Sequence, residues 1–121
     1  MISMNAPVVT GLKANATLTG LLGGQKVYYL LAPQGITGSY ITFFEMTNFP
    51  AEYAEDTVLA DEIHLQVDIF TPENVNPTPF AEQVEITMKS LGFGRTATAD
   101  LWEADTRLRH KAMRYATVKK Y

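Results

Sequence analysis

The chain contains no cysteine and no apolar run approaching the ~20 residues that a membrane-spanning helix needs. The first absence excludes disulfides and thiolate metal sites. It disfavours the small secreted scaffolds and is compatible with a reducing compartment, with the cytoplasm as the economical expectation. The opening stretch MISMNAPVVTGLK lacks both the basic segment and the uninterrupted apolar core of a signal peptide, so a soluble, unprocessed protein with no membrane role is expected. Internal repeats, low-complexity tracts and long linkers are also missing. At 121 residues the expectation is a single domain over 1–121, large enough to bury a core of its own.

What is present is an uneven distribution of charge. All thirteen acids lie between Glu45 and Asp105, a stretch with only two bases, Lys89 and Arg95, whereas Thr106 to Tyr121 holds six bases and no acid. Net charge is -3, which argues against general nucleic-acid binding, because neutralising phosphates requires a basic face. Segregation of this kind suggests electrostatic complementarity between surfaces, within one subunit or between neighbours, and so assembly more than chemistry.

Periodicity predicts the order α-β-β-β-α-β-β. The first helix is expected from Ala6 to Leu22, capped at Asn5 or Ala6, with Pro7 in its first turn and Gly23 and Gly24 as its stop. Lys26–Leu31 and Ser39–Thr47 read as strands of a hairpin with a long loop around Pro33, Gly35 and Gly38. The acidic, Pro50-broken stretch Asn48–Thr57 reads as a loop. Asp61–Phe70 alternates, with Ile63, Leu65, Val67 and Ile69 facing the core and Glu62, His64, Gln66 and Asp68 facing away. A second helix is punctuated by Thr78 as cap, Pro79 at the first position, and Gly92 then Phe93 as a Schellman ending; Phe80, Val84, Met88 and Leu91 form its apolar stripe. Gly94–Glu103 and Arg107–Val118 read as a terminal hairpin. The fold class is α+β, a mainly antiparallel five-stranded sheet with two helices on one face. Tyr40, Phe44 and Met46, together with the apolar run Val27–Leu31, leave the other face short of polar side chains, so some of it is expected to meet another chain.

No constellation commits the chain to a reaction. Glu62, His64 and Asp68 share a strand face but span ~20 Å, too far for one ion, and a solvated face is the expected reading. His110 has no orienting carboxylate nearby in sequence and is expected at a surface or interface. There is no G-x-S-x-G or S-x-x-K pattern, and Gly20, Gly23 and Gly24 follow a helix where a phosphate loop would precede one. The expected contact residues are instead Glu52, Tyr53, Glu55 and Asp56 in the acidic loop and Arg107, Arg109, Lys111 and Arg114 on the basic strand. Trp102 is either a partly buried strand aromatic or an interface anchor. The basic strand could pair with acids such as Glu103 or Asp68, with the acidic loop of a neighbour, or with nucleic acid. A head-to-tail contact between two such patches closes into a ring when the rotation allows.

The run TLTGLLGG followed by KVYYLLAP, then SYITFFEM, DEIHLQVDIFTP, the helix closing in MKSLGF and the terminal DLWEADTRLRHKAMRYAT resembles the tail completion, or head-to-tail joining, proteins of long-tailed bacteriophages and prophages. The resemblance covers nearly the whole chain. It implies a tail-terminator-like subunit that forms a ring, usually a hexamer, and caps the tail tube or joins it to the head. The implied partners are copies of itself, the tail tube protein and the head-completion or connector protein, with DNA passing through unbound. It further implies no enzyme activity and no cofactor, and a place in the virion at the head–tail interface after assembly in the host cytoplasm. The competing readings from the residues are a small ligand- or metal-binding α+β domain and a DNA-binding accessory module.

Overall fold

A computed structural model describes residues 1–121. Helices α1 (Asn5–Ala14) and α2 (Ala16–Leu22) lead into β1 (Val27–Tyr29), β2 (Tyr40–Ala54) and β3 (Thr57–Pro72). Helix α3 (Thr78–Ser90) and the strands β4 (Gly94–Glu103) and β5 (Leu108–Lys120) follow. The five strands form one sheet in the order β1-β2-β3-β5-β4. No helix is long and apolar enough to cross a membrane.

The single first helix expected from the sequence is two helices, broken at Asn15. Its Oδ1 accepts the Leu18 N–H at 3.0 Å, a side-chain cap that starts α2. Its Nδ2 donates to the Gln83 carbonyl, Gln83 Oε1 and Thr87 Oγ1 at 3.3, 3.2 and 3.1 Å, fastening the break to α3. The α1 cap is Met4, one residue before the expected position, while Gly23 in the left-handed region (φ 74) ends α2 as anticipated. Helix α3 also begins one residue early, with Pro77 at its cap and the Asn76 side chain accepting the Thr78 N–H at 3.0 Å. Its end matches the expected Schellman motif: Phe93 N–H donates to the Met88 carbonyl and Gly92 N–H to the Lys89 carbonyl, both at 3.0 Å.

Two strand expectations are corrected. β1 runs parallel to β2, with Val27 opposite Ile41 and Tyr29 opposite Phe43, so the sheet is mixed and the first two strands are not a hairpin. The connection over 30–39 brings the chain back to begin β2 beside the start of β1, which reverses the sense that a hairpin would give. The stretch read as the loop Asn48–Thr57 is mostly paired strand, since β2 and β3 remain paired from Tyr40↔Phe70 to Ala54↔Thr57. Pro50 is tolerated because β1 covers only Ile41–Phe43, leaving β2 an edge strand at Pro50, where register shifts also occur.

The helices cover one face of the sheet. Val8, Leu12, Leu18, Leu22, Val84 and Met88 pack on Ile41, Phe43, Ile63, Leu65, Val67 and Ile69 in one buried cluster. Each fully buried aliphatic side chain of this kind contributes about 1.5–3 kcal/mol of transfer free energy. Tyr115 lies fully buried among them, its hydroxyl donating to Glu85 Oε1 at 2.9 Å, and Arg95 Nε donates to the other Glu85 oxygen at 2.9 Å. Burial and this hydrogen bond push the Tyr115 phenol far above its ordinary value. Burial alone would raise Glu85, but the two donors outweigh it and leave the carboxylate below its usual range. The trio therefore fixes α3 against β4 and β5. Beyond Arg95 the helices leave β4 uncovered, and it is exposed along almost its entire length.

Candidate assembly interface

Beyond the rung Ala60↔Lys120, β2 and β3 continue as a two-stranded arm. It turns at Glu55 and Asp56, both in the left-handed region (φ 49 and 64), the geometry of a tight two-residue hairpin turn. Neither side chain has an ion-pair partner within the chain, while Glu52 lies 3.9 Å from Lys120. Tyr53 is 63% exposed. The four residues expected to make contacts from a loop are thus brought together on a projecting, acidic hairpin.

The basic strand does not stay together. Pairing register puts Arg109 and Lys111, opposite Thr71 and Ile69, on the helix-covered face, and Arg114, opposite Gln66, on the open face. Arg114 Nε donates to Gln66 Oε1 at 3.1 Å. On the helix side, Arg109 sits directly across from Trp102, and the Arg107 guanidinium lies 5.4 Å from the Trp102 ring centroid. Trp102 is 49% exposed, half-covered and half-available. Arg107 bonds Glu73 at 2.6 Å and Lys111 bonds Asp100 at 3.0 Å, whereas Arg109 has no carboxylate partner. Trp102, Arg107, Arg109 and Lys111 therefore form one corner at the turn of the β4–β5 hairpin.

The acids named as partners for the basic strand, Asp68 and Glu103, hold His110 instead. His110 Nε2 is 2.7 Å from Asp68 Oδ1 and Nδ1 is 2.9 Å from Glu103 Oε1, which corrects the expectation that no carboxylate orients this ring. Asp68 raises the basicity of the imidazole most, burial opposes it, and Glu103 adds to the rise, so the ring's pKa stands above the ordinary histidine value. Phe70 stacks on His110 at 4.4 Å and Tyr40 on Phe70 at 4.9 Å, a ladder across the open face. The Glu62, His64 and Asp68 set divides: His64 pairs with Glu62 at 2.7 Å beneath Phe49, and Asp68 turns to Gln66 and His110. Sequence reasoning missed the Asp68–His110–Glu103 bridge because its members come from three strands. Only their register could reveal it.

Arm tip and basic corner lie at opposite ends of the sheet. β3 runs 16 residues from one to the other, about 50 Å at ~3.3 Å per residue. They cannot meet within one subunit.

The model of the family described as Tail completion protein gp17 matches residues 6–120. The chain belongs to the tail completion family. Its role is accordingly structural, in the phage tail, and its place is in the virion. Among solved structures, this tail completion protein is similar to a chain of the virion of a native gene transfer agent particle. The two are 13% identical over 94% of this chain and 92% of that one, with a TM-score of 0.67, a likeness of fold. None of the curated proteins matches it. For a tail completion protein the relevant geometry is the placement of surfaces. Its acidic hairpin and its Trp–Arg corner are set at the two ends of a rigid sheet, and its edge strand β4 is left open.

Proposed function

We propose that copies of this tail completion protein, each acting as a single domain over 1–121, assemble in the host cytoplasm as a hexameric ring on the end of the tail tube. The ring closes the tube and joins it to the head connector. DNA passes through the ring without specific contact, and the work is done by matching of surfaces, with no catalytic step. Family membership over residues 6–120 is the observation that carries this reading.

The separation of the two charged surfaces supports a division of labour. A contact between the arm of one copy and the corner of another would run in series along the strands, which extends a chain of subunits more readily than it closes a ring. We therefore assign Glu52, Tyr53, Glu55 and Asp56 to one axial neighbour and Trp102, Arg107, Arg109 and Lys111 to the other, the pair being the tail tube protein and the connector protein. An exposed tyrosine among acids and an exposed tryptophan between arginines are the kinds of side chain that dominate protein interfaces. Arg114, on the open face, is assigned to neither.

Removing the gene from the source phage or prophage and imaging the lysate tests the proposal. Filled heads beside unattached tails are expected, with overlong tails if the ring also stops tube growth. Normal, infectious virions would overturn it.

A further inference from the structure

We propose that neighbouring copies in the ring interlock laterally. The Leu30–Leu31 turn on the β1 edge of one subunit seats in the apolar groove between α3 and the β4 margin of the next. This rests on the reading of the protein as ring-forming and adds the contact that closes the ring.

The turn is a preformed apolar knob. Leu30 is held in the left-handed region (φ 68), which a leucine adopts only when its surroundings impose it. The restraint comes from the Leu30 N–H donating to the Phe43 carbonyl at 2.7 Å and the Leu31 N–H donating back to the Tyr29 carbonyl at 2.8 Å. Tyr29 packs edge-on against Phe43 at 5.4 Å and braces the base of the turn. The outcome is two leucines turned away from the core, 56% and 77% exposed, at a place where nothing in the subunit covers them.

The groove is the corresponding vacancy on the other side. It measures about 340 Å³ and is lined by Ala81, Glu82, Glu85 and Ile86 of α3, Arg95 of β4 and Met113 of β5. Ile86 stands 59% exposed at its mouth. Level matches as well as shape. The knob follows Tyr29, which pairs with Phe43 and through it stands level with Val67. Met113 pairs with Val67, and Arg95 pairs with Tyr115, itself opposite Leu65, so the groove lies at the same height along the strands. An apolar knob on one edge thus faces an apolar groove at the same level on the other. Because β1 and β4 are the two outer strands, knob and groove lie on opposite edges. A contact between them joins unlike surfaces on opposite edges and repeats by rotation from one copy to the next.

The absence of native cysteine makes the contact directly testable. Phage complemented with the double variant Leu31→Cys and Ile86→Cys is purified, treated with a short bismaleimide, and resolved on denaturing gels. The copy number of the protein per particle is measured in parallel. A ladder of covalent multimers, absent from either single variant, is expected. A product that stops at the dimer would overturn the proposal in favour of two-fold pairing. No cross-link in particles holding several copies would overturn the knob and groove while leaving the ring intact. One copy per particle would overturn the ring and the knob with it. As a second readout, Leu31→Asp should lower infectious titre about tenfold or more, and Leu31→Met should leave it near wild type. Wild-type titre from Leu31→Asp would also overturn the contact.

Discussion

An imidazole whose two nitrogens both face carboxylates is more basic than a free one, and His110 between Asp68 and Glu103 is in that position. Because its folded pKa is raised, the charged ring contributes stability that is fully present below about pH 6.5, the ordinary histidine value, and is lost as pH rises through the folded value. The denaturation midpoint of the wild-type protein should therefore fall between about pH 6 and pH 9 more steeply than that of His110→Gln, measured by urea titration at fixed ionic strength. At the lower pH the substitution should cost about 1–3 kcal/mol, since it leaves the buried Asp68 short of a donor. Parallel pH profiles for the two proteins would remove this role from His110. Little of this was legible beforehand. Neither the 42-residue separation of Asp68 from His110 nor the residue types signal a bridge until two strands are laid in register.

At the scale of elements, the arm turn separates stability from function. Glu55 and Asp56 occupy left-handed backbone for which Asn and Gly are better suited. The double change Glu55→Asn with Asp56→Gly should stabilise the protein by about 1 kcal/mol, read by chemical denaturation. It removes both acids from the arm tip, so infectious titre should fall even as stability rises. An unchanged titre would mean that the tip charges contact nothing. What the sequence disclosed at this scale was whatever a long period or firm punctuation carries: the alternation of Ile63 to Ile69, the stripe and Schellman ending of α3, and the terminal hairpin. It concealed the break at Asn15, where a polar residue between two stretches of the same stripe serves as an internal cap. It also concealed the sense of β1, because three residues in a uniformly apolar run have no alternation to orient them. The arm was read as a loop from Pro50 and its acids, both of which an edge strand tolerates and uses to discourage unwanted pairing.

For the whole molecule, the assigned contacts differ in kind: charged surfaces at the ends of the sheet, apolar ones at its edges. Screening shortens the reach of exposed charges from roughly 10 Å at 0.1 M salt to about 3 Å at 1 M, and apolar burial has no such dependence. Joining of purified heads to tails carrying the protein should accordingly slow as salt rises through this range, while the cross-linked ladder from the lateral contact should persist. Loss of both together would place charge in the lateral contact; loss of neither would remove it from the ends. Family and general architecture were legible in the order and spacing of the quoted segments. The division of the surface into ends and edges was not, because it depends on which strands finish outermost.

The strand order has one more consequence, for synthesis. β5 is the last of the five strands to leave the ribosome, yet it lies between β3 and β4. Until residues 108–120 are made, β4 has no neighbour to pair with, β3 has one side bare, and the core lacks Met113 and Tyr115. A nascent chain that has reached β4 is still two unlinked pieces, without either the basic corner or the finished groove. Incomplete translation products therefore lack the surfaces that would let them occupy a place in the particle and block it.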